Sequence, residues 1–233
     1  MGEVGVVVQY KAVPRNEAAF EAAVQELFKA MAAEEYPQGA VKTFAFYKVP
    51  YIFGYWYSFG QFTQEGLANH GKGPKVSAAY KKMQALLAHP AEQEVLESVI
   101  IQGCGEHIPG APPRPAEADP ATDVGVVYSF RVKPEDDDTI DRLMHHIFKI
   151  VDRTEISTGN VLTYNLYRDP KEKGRWVMFE HFTAKGSADH ATHPDVFPPG
   201  LKQIGLVTEP FSRVLLNPYI VHGCGETMPN GKA

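Results

Sequence analysis

The sequence repeats itself at a constant offset of 120 residues, and this repeat constrains the fold more than any other feature. The opening segment Val4-Gly5-Val6-Val7 returns as Val124-Gly125-Val126-Val127. The longest string, Phe59-x-x-Phe62-Thr63-x-x-Gly66-x-Ala68-x-His70, returns as Phe179-x-x-Phe182-Thr183-x-x-Gly186-x-Ala188-x-His190. Because the offset is the same from end to end, the chain is predicted to hold two copies of one module, fused head to tail.

A proline-rich segment separates the two copies. It runs from Pro109 to Pro120, and its composition predicts a stiff, extended linker without a core of its own. We therefore expect module 1 at residues 1–108, a linker at 109–122 and module 2 at 123–233.

Each copy has the pattern strand, helix, strand, strand, helix, strand. Apolar, β-branched runs at 4–10 and 124–131 predict the first strands, and apolar residues recur at helical spacing after Pro14 and Pro134. This order predicts an α+β fold made of two fused ferredoxin-like βαββαβ modules. Since one face of each sheet would be uncovered, we expect the two sheets to pack face to face and close into a single-chain barrel with an internal pocket.

The first strand of the second copy has one wholly apolar face and one mixed face. Val124, Val126, Tyr128 and Phe130 alternate with Gly125, Val127, Ser129 and Arg131. We assign the mixed face to the side of the pocket.

Composition and charge exclude several classes of function. The formal net charge is −5, and no basic run is interleaved with aromatic residues, so no nucleic acid partner is expected. No apolar stretch is long enough for a bilayer, and the N-terminus enters a strand pattern almost at once, so we expect no secretory signal. The two cysteines, Cys104 and Cys224, do not make a disulfide framework, which predicts a cytoplasmic protein. Because the halves can cover each other, we expect a monomer (a pseudo-dimer) or a weak homodimer.

The two copies differ most in their histidines. Six of the nine histidines follow the linker. The second copy also has Glu180-His181 where the first has Gly60-Gln61, and His193 where the first has Gly73. These differences favour a catalytic site in the second copy, with the first copy as a mainly structural partner.

His190 and its counterpart His70 are the first candidates for chemistry. Histidine titrates near neutral pH, so His190 suits a general acid or base, or a partner for a phenolate. A capping or packing histidine would recur equally well, and the repeat alone does not choose between the two roles. Of Glu180 and His181, only one can face a pocket, because neighbouring side chains of a strand point in opposite directions. A surface ion pair remains the alternative for either residue.

Metal and cofactor sites are weakly indicated. His190 and His193 have a spacing that could place two imidazoles together, but Pro194 disfavours helix at His193, and no metal is predicted. Cys104 and Cys224 lie between glycines, which favours small buried side chains in tight turns over reactive thiols. The chain has no phosphate-binding glycine loop, no dinucleotide fingerprint and no nucleophile elbow, so we expect no cofactor.

Aromatic residues are abundant on the central strands. The residues predicted to contact a flat, phenolic ligand are Tyr164, Tyr167, Trp176, His181, His193, Trp56 and His70. Among these we expect Tyr164 to act with His190 and Glu180 in catalysis.

In these motifs the chain resembles the antibiotic-biosynthesis-monooxygenase-like members of the dimeric α+β barrel superfamily. The resembling parts of the second copy are Gly159-x-x-x-x-Tyr164-x-x-Tyr167, then Trp176-x-x-Phe179-Glu180-His181-Phe182-Thr183, with Asp189-His190 beyond. The first copy departs from the pattern at Gly60, and both copies have Phe62 or Phe182 where many family members place Trp.

The resemblance implies an oxidoreductase, a cofactor-independent monooxygenase of secondary metabolism that oxidises a phenolic or polycyclic aromatic molecule, such as a quinol or an anthrone, with O2. A base would remove a proton, and the electron-rich carbanion would reduce O2 directly. Two alternatives stay open: a non-oxidative cyclase or isomerase that uses the same histidine as acid and base, and a small-molecule-binding stress protein without catalysis.

Overall fold

The computed structural model describes residues 3–103, 108, 110–223 and 226–228. The chain forms two compact units. Unit 1 comprises Met1–Leu96 together with Leu216–Ala233, and unit 2 comprises Glu97–Leu215. Cys104 and Cys224, for which buried turn positions were predicted, lie outside the described residues.

The first copy contributes four strands and three helices in the predicted order. They are β1 (Glu3–Lys11), α1 (Glu17–Glu34), β2 (Val41–Lys48), β3 (Tyr55–Thr63), α2 (Gln64–Asn69), α3 (Pro74–Gln84) and β4 (Glu92–Gln102). In the sheet, β4 lies next to β1, β1 next to β3, and β3 next to β2. This is the strand order of a ferredoxin-like module.

The second copy repeats these elements close to the same offset. They are β5 (Val124–Arg131), α4 (Asp137–Thr154), β6 (Val161–Arg168), β7 (Arg175–Phe182), α5 (Ala184–Thr192), α6 (Phe197–Leu206) and β8 (Ser212–Gly223), followed by a short β9 (Glu226–Met228). Strand β8 lies next to β5, β5 next to β7, and β7 next to β6. The predicted α+β class with two fused ferredoxin-like modules is confirmed.

The last strand of each copy is divided between the two units. Residues 97–102 of β4 belong to unit 2 and pair there with β6, from Glu97 opposite Arg168 to Gln102 opposite Tyr164. Residues 217–223 of β8 belong to unit 1 and pair there with β2, from Asn217 opposite Lys48 to Gly223 opposite Thr43. The compact units therefore do not coincide with the sequence repeat, and the division into modules at residues 1–108 and 123–233 stays a prediction.

Each unit has its own apolar core between its sheet and its helices. In unit 1, Phe20, Leu27 and Phe28 of α1 pack on the sheet. In unit 2, Ile140 and Ile147 occupy the equivalent face of α4. Phe20 and Leu27 are seven residues apart, as are Ile140 and Ile147, which places each pair on one side of its helix.

The short helix after β3 or β7 begins in the same way in both units. The hydroxyls of Thr63 and Thr183 accept the backbone N–H of Gly66 and Gly186, at 2.9 and 3.0 Å. A Cβ at Gly186 would lie 2.4 Å from the carbonyl oxygen of Asn160. The repeated Thr-x-x-Gly motif is thus a helix cap with a close backbone approach. Among the described residues, no helix has the length and apolar character needed to cross a membrane.

Candidate functional site

Unit 2 contains a cavity of about 160 Å³ between its sheet and its helices. The cavity is lined by Val126, Tyr128, Ile147, Tyr164, Met178, Glu180, His190, Val196, Gly200, Gln203 and Arg213. Val126 and Tyr128 belong to the apolar face of β5, so this cavity lies on the apolar side of the sheet, and the pocket on the mixed face stays a prediction. The helices cover the apolar face, and the cavity is a gap in that same layer.

His190 enters this cavity from the last turn of α5. Its Nδ1 lies 2.8 Å from Oε2 of Glu155, which directly follows α4. The imidazole stacks on Phe182 and meets Tyr164 edge to face, with ring centroids 5.1 and 5.4 Å apart. Because a carboxylate has only acceptors, Nδ1–H donates to Glu155, and the neutral ring keeps its lone pair on Nε2.

The electrostatic surroundings favour the protonated form of His190. Burial alone lowers the pKa of His190, but the hydrogen bond to Glu155 and the negative charges of Glu180 and Glu155 outweigh it, so the pKa is raised above its usual value. Arg213 opposes this shift. The ring therefore holds a transferred proton more strongly than a free imidazole would.

Among the described residues, Nε2 of His190 has no hydrogen-bond partner, and the reason is Gly200. In unit 1 the residue at the equivalent position is Tyr80, whose hydroxyl lies 2.6 Å from Nε2 of His70. In unit 2 the position holds Gly200, which lines the cavity beside His190. The change from Tyr to Gly leaves the basic nitrogen of His190 accessible to a ligand.

Glu180 is a carboxylate within this mostly apolar cavity. It is 8% exposed, and burial raises its pKa, while the positive charges of His190 and Arg213 oppose the rise. A carboxyl group in this setting exchanges protons at a higher pH than an exposed one.

Two tyrosines complete the polar lining. Burial, with the charge of Glu180 as a smaller contribution, raises the pKa of Tyr128 to about 12. Burial also raises the pKa of Tyr164 well above the usual value, again with Glu180 adding to it. Both phenols therefore stay protonated at neutral pH and can donate a hydrogen bond to a ligand oxygen.

Arg213 and Gln203 border the cavity from β8 and α6. Arg213 is exposed, whereas Gln203 is buried. The guanidinium places a positive charge near a site that also contains Glu180 and Tyr128, and it lowers the pKa of both. It can stabilise an anionic form of a bound molecule.

The equivalent site of unit 1 is differently built. Nδ1 of His70 lies 2.7 Å from Glu35 and Nε2 lies 2.6 Å from the hydroxyl of Tyr80, so both ring nitrogens are engaged. Gly60 replaces the carboxylate of Glu180, and a Cβ there would lie 2.4 Å from the ring of Phe62. In unit 1, side chains of the protein therefore occupy both ring nitrogens of His70, and its predicted contact with substrate stays a prediction.

The other residues predicted to bind substrate lie outside the cavity around His190. Tyr167 accepts a hydrogen bond from the amide of Asn165 at 3.1 Å, and Tyr167 and His181 alternate with the cavity-facing residues of their strands. Nε2 of His181 lies 3.3 Å from the carboxylate of Asp123. Of the pair Glu180-His181, Glu180 is the residue that lines the cavity.

Both tryptophans are core residues with no exposed surface. Trp176 donates from Nε1 to Asp137 at 2.9 Å and lies under the guanidinium of Arg168. Trp56 packs against Phe20 in unit 1. Neither lines a cavity that contains His190 or His70.

His193 is separated from His190 by the end of α5. It caps that helix, and its Nδ1 accepts the backbone N–H of Asp195 at 3.2 Å. It lines a different, polar cleft with Thr158 and Asn160. The described residues contain no group of three or more His, Cys, Asp or Glu side chains placed to bind a metal.

Sequence reasoning missed Glu155, Tyr128, Gly200, Gln203 and Arg213 as site residues. The repeat offers a signal for each of them. Glu155 matches Glu35, and the other four stand where the first copy has Val8, Tyr80, Met83 and Gln93. A position-by-position comparison of polarity between the copies, extended beyond the histidines, would have identified the four that differ, but not Glu155, which is the same in both copies.

Comparison with solved structures shows the same fold over the full length of the chain. A protein from Fusobacterium nucleatum subsp. nucleatum ATCC 25586, provisionally named a monooxygenase, has a TM-score of 0.80 and 14% identity, with 100% of this chain and 99% of that chain covered. A similarly named protein from Lactobacillus acidophilus NCFM has a TM-score of 0.76 and 8% identity, with 99% and 100% covered. An anthrone oxidase-like protein has a TM-score of 0.59 and 11% identity, with 100% and 98% covered.

Because the sequence identities are this low, the comparisons establish a similarity of fold alone. The resemblance to monooxygenase-like proteins that the motifs indicated is confirmed at that level, including its duplicated, single-chain form. Neither models of protein families nor curated proteins gave a match to the sequence.

Proposed function

We propose that the chain is a cofactor-independent monooxygenase that oxidises a small quinol with O2 in the cavity of unit 2. The observation that carries this proposal is the open Nε2 of His190, a base that Glu155 orients and that faces a cavity with two phenols and a carboxyl group. The monooxygenase names of proteins with the same fold support the reaction type.

The size of the cavity favours a substrate with one ring. An apolar cavity of roughly 150 Å³ holds one benzene ring, whereas sites for drug-sized ligands occupy about 300–1,000 Å³. At about 160 Å³, the cavity suits a hydroquinone better than a three-ring anthrone.

In the proposed reaction, His190 removes a phenolic proton at Nε2 and the pKa-raising charges of Glu155 and Glu180 stabilise the imidazolium. The phenolate carries electron density on the ring carbon beside the oxygen, and that carbon reduces O2 and binds it as a hydroperoxide. Loss of water from the hydroperoxide breaks the O–O bond and leaves a new carbonyl at that carbon. The product of this step is 4-hydroxy-1,2-benzoquinone, and transfer of its hydroxyl proton to the new oxygen gives the tautomer 2-hydroxy-1,4-benzoquinone. Hydroquinone and O2 thus give 2-hydroxy-1,4-benzoquinone and one H2O.

The surrounding groups have definite tasks in this scheme. Tyr164 and Tyr128 are protonated donors that can hold the second hydroxyl of the quinol. The positive charge of Arg213 stabilises the phenolate. Glu180 supplies or accepts the proton that leaves with water, which its raised pKa permits.

The stoichiometry of O2 uptake tests the proposal. With hydroquinone as substrate, we expect one hydroxyquinone per O2 consumed and no accumulation of H2O2, above a blank without protein. One H2O2 per quinone would indicate an oxidase. Product formed equally well under argon would indicate a non-oxidative isomerase or cyclase. Binding of hydroquinone without turnover would indicate a binding protein without catalytic activity.

A further inference from the structure

Unit 1 contains its own cavity at the position equivalent to the site of unit 2, with a volume of about 360 Å³. It is therefore more than twice as large as the cavity of unit 2. Three exchanges enlarge it: Val8 stands in place of Tyr128, Gly60 in place of Glu180, and Gln93 in place of Arg213.

The wall of this cavity is mostly apolar and carries no carboxylate. Its apolar residues are Val6, Val8, Phe44, Phe62, Leu67, Met83 and Ala91. His70 borders it with both ring nitrogens already hydrogen-bonded, to Glu35 and Tyr80. No basic nitrogen of His70 is thus available to a bound molecule, and the cavity lacks the chemistry of unit 2.

A buried pair of hydroxyls distinguishes the cavity from a mere gap in packing. The hydroxyl of Tyr10 lies 3.0 Å from that of Ser58, and the two residues are 4% and 1% exposed. Their counterparts in unit 2 are Phe130 and Met178, which are apolar. The hydroxyl pair is therefore specific to the cavity of unit 1, since the repeated fold also forms with apolar residues at both positions.

The pair retains capacity for a further hydrogen bond. One of the two O–H groups donates to the other oxygen, so one O–H remains. Neither hydroxyl has another hydrogen-bond partner among the described residues. A buried donor without a partner is costly, and a carbonyl oxygen of a ligand would satisfy it.

We propose that the cavity of unit 1 is a non-catalytic binding site for a neutral, two-ring aromatic molecule that carries a carbonyl group, which the hydroxyl pair of Tyr10 and Ser58 recognises. The volume lies within the range of sites for drug-sized ligands. The described wall holds no carboxylate and no free imidazole, and the ammonium group of Lys81 at its edge is exposed to solvent, so an uncharged ligand is the matching class.

The probe for this site is 6-propionyl-2-(dimethylamino)naphthalene, a neutral two-ring ketone whose fluorescence emission depends on the polarity around it. Titrated into the full chain, it should bind at one site per chain with a shift of emission to shorter wavelength. It has no phenolic proton, so its binding is independent of the reaction proposed for unit 2.

The double variant Tyr10→Phe/Ser58→Ala removes both hydroxyls, because the hydroxyl left by a single substitution could still donate to the ligand. It should weaken Kd about two- to twelvefold, the range of a neutral hydrogen bond. Val8→Tyr copies the second repeat, fills the cavity and should abolish binding. Gly200→Tyr copies the first repeat, fills the cavity of unit 2 instead and should leave Kd unchanged. Circular dichroism reports whether each variant is folded, and the double variant is decisive should Val8→Tyr fail to fold.

Three results would overturn the inference. The first is the lack of saturable binding to the wild-type chain. The second is a Kd that neither Tyr10→Phe/Ser58→Ala nor Val8→Tyr changes, as expected for a probe on the exposed apolar side chains of Tyr51 and Phe53. The third is loss of binding in Gly200→Tyr, which would place the probe in unit 2.

Discussion

At the scale of single residues, the chemistry depends on which nitrogen of a histidine is engaged. Glu155 and Glu35 fix Nδ1 of His190 and His70 in the same way, at 2.8 and 2.7 Å. The difference lies at Nε2, which Tyr80 occupies in unit 1 and Gly200 leaves open in unit 2. One residue exchange thus separates a structural imidazole from one that can act as a base.

The raised pKa of His190 predicts the pH dependence of the reaction. A base must be neutral to accept a proton, so kcat/KM should fall as the pH drops through the pKa of His190. We expect this acidic limb above about 6.5, the usual value for histidine, because Glu155 and Glu180 raise it. Glu155→Gln should move the limb to lower pH. A limb below 6 in the wild-type chain would contradict this assignment.

Glu180 predicts a pH dependence of stability. Its pKa is higher in the folded than in the unfolded chain, so the folded state binds the proton more tightly and loses stability as the pH rises between the two values. Glu180→Gln removes this loss. Its melting temperature relative to the wild type should therefore increase from pH 4 to pH 6, a range in which His190 stays protonated. If the difference in melting temperature between Glu180→Gln and the wild type stayed constant over this range, ionised Glu180 would not be destabilising.

At the scale of elements, the two copies diverge in the two helices that follow β3 and β7. Helix α2 ends at Asn69 because Gly71 adopts a left-handed φ of 79°, whereas α5 continues to Thr192 and carries His190 within its last turn. Helix α3 presents Tyr80 to the histidine, and α6 presents Gly200. The same scaffold can therefore support two different cavities.

Exchanging Tyr80 and Gly200 should exchange which of the two histidines has its Nε2 occupied. Gly200→Tyr places a phenol against Nε2 of His190, by analogy with Tyr80, and should lower kcat/KM by at least about a hundredfold, the lower end of the contribution of a general base. The melting temperature should change little, since unit 1 tolerates the same residue. The matched control Tyr80→Gly should leave kcat/KM unchanged. Full activity in Gly200→Tyr would show that Nε2 is not the reacting atom.

Sequence patterns predicted the local features of these elements, but not the contacts between residues that are distant in the chain. The alternation of β7 showed that only one of Glu180 and His181 could face a cavity, and the order of elements in the module placed His190 on the short helix after β7. Glu155 was missed because it lies 35 residues before His190 in the chain, and its role exists only through a tertiary contact. The cavity around His190 was not predicted, because alternation along β5 gives no sign of a gap between its apolar face and the helices.

At the scale of the whole molecule, the repeat in sequence and the compact units in space do not coincide. The strand pairing of β2 with residues 217–223 and of β6 with residues 97–102 joins segments from both copies within each unit. The sequence could not predict this, because strand order in a module does not specify which copy supplies the neighbour of β2 or β6.

This exchange predicts how fragments behave. Residues 1–110 lack the segment that pairs with β2, and residues 123–233 lack the segment that pairs with β6, so each fragment exposes a strand edge. We expect each alone to self-associate or to unfold without cooperativity, and an equimolar mixture to form a complex with cooperative unfolding. Size-exclusion chromatography and thermal unfolding measure both. A fragment that is a stable, cooperatively folding monomer would contradict the exchange.

The central claim is that the reaction takes place at His190 in unit 2, and the rate of O2 uptake with hydroquinone in two matched variants tests it most directly. His190→Ala removes the base and should lower kcat/KM by about a hundredfold to ten-thousandfold. His70→Ala removes a structural histidine and should keep kcat/KM within about twofold, with a loss of stability of about 0.5–3 kcal/mol. Equal losses of activity in the two variants, or none in folded His190→Ala, would contradict the account.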